Sequence, residues 1–325
     1  MEGAGRWLGL GMALALAASA SAAPAAPVAP ASPQALSREP LRPLPARTGA
    51  DPARAALGKR LFHDVRLSSD RRNSCASCHD LQRGGADGLV VAHPRGGKAG
   101  LFNTPSIYNS SFNFRTSWIG LPVTVDTLPE HVNAGSWNAL VAALAGDAGL
   151  GSQFKAVYAV ELDAASAKDA LSHYLRTLVT PSRFDRFLRG DTTAITEEEK
   201  QGYARFKGYG CVACHQGVNV GGNMFARLGA MQPVPGLESR AGGLGRFQVT
   251  GRDSDRQVYR VPSLRNVALT APYFHDGSVA TLEGAVNLMF YHQLGRNAPQ
   301  QDKDLIVRFL HTLSGERMPP PGAAP

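Results

Sequence analysis

The sequence predicts a mainly α-helical chain built from two related halves. Three observations carry that reading. The motif Cys75-Ala-Ser-Cys-His79 returns as Cys211-Val-Ala-Cys-His215, 136 positions later. Each copy is followed by a glycine-rich stretch and then by Pro-Ser-(Ile/Leu)-x-Asn, at Pro105–Asn109 and at Pro262–Asn266. Elsewhere the apolar residues recur mostly at helical spacing, and few stretches alternate as strands do. A repeat of this length argues for two units of one design in tandem.

Both motifs read C-x-x-C-H, the attachment signature of a c-type haem. Two thiols that add across the vinyl groups of one porphyrin must sit about a helical turn apart. The adjacent histidine then falls under the iron as its proximal ligand. The two motifs use all 4 cysteines of the chain. A four-cysteine zinc site would not need a histidine after each pair, and a redox dithiol would not need to occur twice. The expected cofactors are therefore two covalently bound haem c groups, held by Cys75, Cys78 and His79 and by Cys211, Cys214 and His215. The expected fold class is mainly α, two cytochrome c-like haem domains in tandem.

In chain order, Arg6, the apolar run Leu8–Ala18 and the small residues Ala20-Ser-Ala22 form a signal-peptide pattern over 1–22. Residues 23–47 are rich in Ala and Pro and read as an extended, mobile linker. A first domain is expected over 48–190. It holds helices at Pro52–Phe62, Ser136–Ala145 and Ala164–Leu178, the last with an apolar stripe at Leu171, Tyr174, Leu175 and Leu178. Asp191–Thr196 is polar, and Thr196-Glu-Glu-Glu199 resembles a helix start, so a second domain is expected over 191–325. Its helices should fall at Thr281–Met289 and Asp302–Leu313, before a Pro-rich tail.

At 325 residues, with 43% hydrophobic residues, the chain can bury two ordinary cores. Only 7% is aromatic, and 35 Gly with 22 Pro imply much irregular backbone, which suits domains whose core is partly porphyrin. The net charge is +8, and haem propionates would roughly halve it. The basic residues are scattered, so nucleic acid is not an expected partner. The apolar run Leu8–Ala18 is shorter than the roughly 18 residues a membrane span needs, so a cleaved signal and a periplasmic mature protein are expected. An uncleaved tether is the alternative.

These motifs resemble the bacterial di-haem cytochrome c peroxidases and their MauG relatives. The likeness rests on Gly210–Asn219, Val261–Asn266, Tyr273-Phe-His-Asp-Gly277 and Thr281–Val286. It is looser at Leu61-Phe62, Arg66-Leu-Ser68, Cys75–His79 and Asn103–Ser106, and it covers about residues 50 to 315. The resemblance implies an electron-accepting C-terminal haem that feeds a peroxide-reducing N-terminal haem, with calcium between the domains. It places Met289, 74 positions past His215, as that haem's second axial ligand. A thioether stabilises ferric iron poorly and so raises the potential. Met224, Met231 and His292 are competing ligands, and Met289 would otherwise be core. A MauG-like site would want tyrosine there, and Tyr291 sits two residues off.

The resemblance also makes His93 a ligand that leaves the N-terminal iron on activation, and Trp118 the bridge between haems. Asn103, Thr270 and Pro272 match calcium-holding positions, in keeping with the oxygen ligands of that cation. Arg265 and His275 are candidates to contact haem propionates. Each has a structural alternative as core or hydrogen-bonding residue. His63, His131, His173 and His311 read as surface or helix histidines. A homodimer is implied by the resemblance alone.

One part of the pattern is missing. Peroxide cleavage needs a group that moves a proton between the two oxygens, and the family's glutamate lies in a segment deleted after Asp126–Val132. Glu130 and His131 stand nearby as possible substitutes. The first expectation is a peroxidase that reduces hydrogen peroxide with electrons from a small cytochrome c or cupredoxin. A non-catalytic di-haem electron carrier or sensor is the second, and a MauG-like oxidase of a protein or peptide the third.

Overall fold

The computed structural model describes residues 39–69, 71–93, 98–121 and 136–315. The expected signal peptide, residues 23–38, the Pro-rich tail, Glu130 and His131 lie outside them. The helices are Pro52–Phe62 (α1), Cys75–Cys78 (α2), Trp137–Leu144 (α3), Ala148–Tyr158 (α4) and Ala164–Thr177 (α5). They continue with Arg183–Leu188 (α6), Glu197–Gly208 (α7), Phe247–Thr250 (α8), Leu282–Leu288 (α9) and Gln300–His311 (α10). A short antiparallel ribbon pairs Phe225–Arg227 (β1) with Val258–Arg260 (β2). The mainly α expectation holds.

The helix starts follow capping chemistry. Asp51 caps α1 by accepting from the Arg54 amide at 2.9 Å, with Pro52 in the first turn. Thr196 and Glu199 form a capping box on α7, and Thr281 caps α9. Two helices had no clear sequence signal. α4 contains Gly149 and Gly151, which weaken its intrinsic propensity, and α6 is only 6 residues long.

The apolar residues form two main cores. One gathers Leu57, Leu61, Leu140, Phe154, Leu171 and Tyr174 from α1 and α3–α5. The other gathers Phe184, Tyr203, Phe206, Phe290, Phe309 and Leu313 from the later helices. The same crossing recurs in each. A Cβ on Gly58 of α1 would stand 2.0 Å from the Ala170 carbonyl oxygen of α5, and one on Gly202 of α7 2.0 Å from the Leu305 oxygen of α10. Each core therefore holds a helix crossing made through a glycine, because no side chain fits between the two backbones.

Two boundaries differ from the sequence reading. Residues 39–44 are not a mobile linker: Leu41 is 1% and Leu44 0% exposed. Leu41 packs in the second core, the Arg42 amide donates to the Gly217 oxygen at 3.2 Å, and the Leu44 amide donates to Asp185 at 2.7 Å. The second core also begins before Asp191, because Phe184, Phe187 and Leu188 of α6 belong to it. These burials outweigh the local Ala/Pro composition and the polar break. No helix among the described residues is long and apolar enough to cross a membrane.

Candidate haem-binding site

Cys211, Val212 and Ala213 form one 3-10 turn directly after α7, and the His215 amide donates to the Cys211 oxygen at 2.9 Å. That turn puts both thiols and the imidazole of the motif on one wall. Cys211, Cys214 and His215 line a largely apolar cavity of about 260 Å³ together with Met289. Met289 opens a five-residue π-turn, Met289–Gln293, that continues α9. Such turns reorient a helical side chain and concentrate at functional sites.

The competing ligands fall elsewhere. Tyr291 is 60% and Met231 62% exposed. His292 Nδ1 lies 2.9 Å from the Gln232 carbonyl oxygen. None of these, nor Met224, lines the cavity.

Burial lowers the His215 imidazole to about 4, against opposing contributions from the Val220 and Pro262 backbone. The ring is thus neutral, as an iron ligand must be. Its Nδ1 is buried and makes no well-formed hydrogen bond among the described residues. Gly221, at φ +122°, lets the backbone pass this ring, since a Cβ there would stand 3.3 Å from Nδ1 and 2.2 Å from the Pro262 oxygen. Burial also pushes the Cys75 and Cys211 thiols up to about 11. The partly buried thiols of Cys211 and Cys214, a neutral imidazole and a thioether on one apolar cavity fit a covalently attached porphyrin. When bound, it supplies an iron that changes oxidation state.

In the first half, Cys75 and Cys78 open and close α2, and His79 Nδ1 lies 3.2 Å from the Gly85 carbonyl oxygen. That contact fixes the ring as a carbonyl partner fixes a metal-bound imidazole. His93 is exposed, next to Ala92, whose amide donates to Phe102 and whose oxygen accepts from Gly100.

The cavity also takes residues from the first half. Trp118 is buried, and its indole N–H donates to the Asn103 oxygen at 2.8 Å. The Asn103 amide donates to the His275 oxygen at 2.7 Å. His275 is buried and stacks on Tyr259 with centroids 4.4 Å apart, and Trp118 meets its ring edge-on at 6.5 Å. Burial lowers its imidazole. Asn103, Thr270 and Pro272 all line the same cavity.

Arg265 departs from its expected role. Its guanidinium makes two 2.9 Å bonds to Asp185, and both side chains have no exposed surface. It also donates to the Val218 and Arg42 carbonyl oxygens at 2.6 and 3.2 Å. Four of its five N–H groups are thus committed to protein, and its principal work is structural. Asp185 gave no sequence signal, because its partner lies 80 positions away.

A family model described as di-haem cytochrome c peroxidase matches residues 52–193. The chain is 42% identical over 289 residues to Cytochrome c peroxidase Ccp of Escherichia coli, aligning 86% of this chain with 62% of that protein's length. It is 38% identical over 290 residues to Cytochrome c551 peroxidase of Nitrosomonas europaea, covering 86% of each. The crystal structure of a MauG-like protein associated with microbial copper homeostasis superposes with a TM-score of 0.68 at 27% identity, over 86% of this chain and 94% of that one. The chain belongs to the di-haem cytochrome c peroxidase and MauG family of oxidoreductases.

Proposed function

We propose that the protein is a periplasmic di-haem peroxidase that reduces hydrogen peroxide to water with two electrons from a small redox protein and two protons. One observation supports this best: the cavity that holds His215 and Met289 runs on to Trp118 and Asn103 of the first half. In this reading an electron-accepting centre with a thioether ligand is continuous with a buried indole of the first half. The relatives named cytochrome c peroxidase support the same substrate. Two haem c groups, one on each C-x-x-C-H motif in a cytochrome c-like half, are part of the proposal.

In this reading His79 and His215 would each ligate one haem iron, and Met289 would be a further ligand of the His215 haem. Trp118 bridges the two centres. His93, on an exposed loop, would be a displaceable ligand of the His79 haem, and Glu130 or His131 would move the proton. Asn103, Thr270 and Pro272 hold calcium through oxygen atoms. His275 packs between Trp118 and Tyr259, where it orders the bridge and has a ring nitrogen to offer a propionate.

A non-catalytic di-haem carrier or sensor is favoured by the absence of the family's glutamate segment. A MauG-like oxidase is disfavoured by the solvent position of Tyr291. Donor-driven peroxide consumption by the purified holoprotein, with reduced cytochrome c or cupredoxin, separates the readings. Turnover that is lost in Met289→Ala supports the peroxidase. No turnover with any donor, in protein carrying two haems, supports the carrier.

A further inference from the structure

Arg260, at the end of β2, is 3% exposed and lines the cavity that holds His215 and Met289. No carboxylate among the described residues pairs with it. Its Nε donates to the Ser117 oxygen at 2.9 Å, and Nη1 donates to the Val261 oxygen at 3.4 Å. No hydrogen bond from Nη2 is formed among the described residues. Its amide donates to the Trp118 oxygen at 2.8 Å. Burial alone lowers the guanidinium to about 10. A guanidinium removed from water without an anionic partner is costly to bury, and this one lines the cavity with part of its fork uncommitted among the described residues.

We propose that Arg260 is the cavity's anion receptor: its guanidinium fork binds a propionate carboxylate of the His215 haem and ties that carboxylate to the Ser117–Trp118 segment. Arg265 cannot serve equally, because its fork is closed on Asp185. The assignment rests on the haem reading of the previous subsection and adds a positioning role. A guanidinium presents two parallel donors to a carboxylate, and Nη2 with the second Nη1 hydrogen is what Arg260 has to offer. The cation beside the carboxylate favours the reduced haem, and its bond to Ser117 holds the bridging tryptophan in register. Loss of the fork should therefore change both the potential of the centre and electron transfer across Trp118.

The test uses the holoprotein in three forms: wild type, Arg260→Gln and Arg260→Lys. A haemochrome assay on each preparation counts the haems. A wild-type count below two overturns the haem reading and Arg260 with it, and is seen before any potential is measured. With two haems present, potentiometric titration across pH should give Arg260→Gln a lower midpoint potential for the Met289-ligated haem and a different pH profile. Arg260→Lys should recover the potential in part. Electron transfer between the haems should slow in Arg260→Gln.

A midpoint potential and pH profile unchanged in Arg260→Gln would overturn the assignment. Should Arg260→Gln fail to fold, the redox-induced infrared difference spectrum of wild type decides the matter. Guanidinium bands that shift on ¹⁵N-arginine labelling, coupled to carboxylate bands that shift on ¹³C-propionate labelling, support the pair. Their absence overturns it.

Discussion

Asn109 and Asn266 donate to the same hydroxyl, Thr180 Oγ1, at 2.9 and 2.8 Å. Each ends one copy of the Pro-Ser-(Ile/Leu)-x-Asn motif, and each has left-handed backbone, at φ 59° and 61°. Their amides donate to Leu178 and Leu313, just past the last helices of the two halves. The sequence repeat is thus a spatial one, and its two copies meet on one buried threonine.

Thr180→Val removes that acceptor and leaves two buried amide groups short of a partner. Each unmet group costs about 1–3 kcal/mol, so the variant should lose about 3 kcal/mol of stability. Chemical denaturation of the holoprotein checks this, and Thr180→Ser should restore most of the loss.

The Asp185–Arg265 pair sets a pH dependence. Burial alone would raise the Asp185 carboxyl. The Arg265 guanidinium and hydrogen bonds from Leu44 and Ser182 more than offset that, and the carboxyl titrates below its ordinary 3.8. A carboxyl depressed in the folded state contributes stability above its unfolded value and loses it as pH falls through the folded one. Asp185→Asn should cost about 3–5 kcal/mol near neutral pH, because it strands a buried cation. The gap from wild type should narrow only below about pH 4, which denaturation curves at several pH values would show.

Gly202→Ala forces a methyl group to within 2.0 Å of the Leu305 oxygen, so α7 and α10 must separate. Overpacking of this kind costs about 1–3 kcal/mol. Because α7 leads into Cys211, the variant should melt earlier and shift the absorption of the His215 haem more than that of the His79 haem. Gly58→Ala should show the reverse bias.

Ligand identity is tested by a pair of variants. Met289→Ala should remove the thioether-to-iron absorption band and abolish donor-driven turnover, while the His79 haem still binds peroxide. Tyr291→Phe should leave the spectrum unaltered, since that ring is 60% exposed. A spectrum unchanged in Met289→Ala would refute the assigned ligand.

Much of this molecule was legible in local chemistry. The C-x-x-C-H spacing, the Thr196 helix start and the apolar stripe of α5 are all set within a few residues. What was not legible depends on distant partners. Leu41 lies in an Ala/Pro-rich stretch and is buried only because Gly217 and the second core receive it. Arg265 looked like a propionate ligand because its anion, Asp185, lies on another element. Arg260 flanks the repeated motif without belonging to it, and only its burial beside the cavity marks it out. The π-turn at Met289 likewise left no trace in the helical periodicity.

In the proposed peroxidase one iron would open to peroxide while the other stores an electron. The half-reduced holoprotein with calcium, followed by optical and EPR spectroscopy as hydrogen peroxide is added, tests it most directly. The account predicts a high-spin ferric signal from the His79 haem that peroxide consumes. Two low-spin haems that ignore peroxide would contradict it and leave an electron carrier in its place.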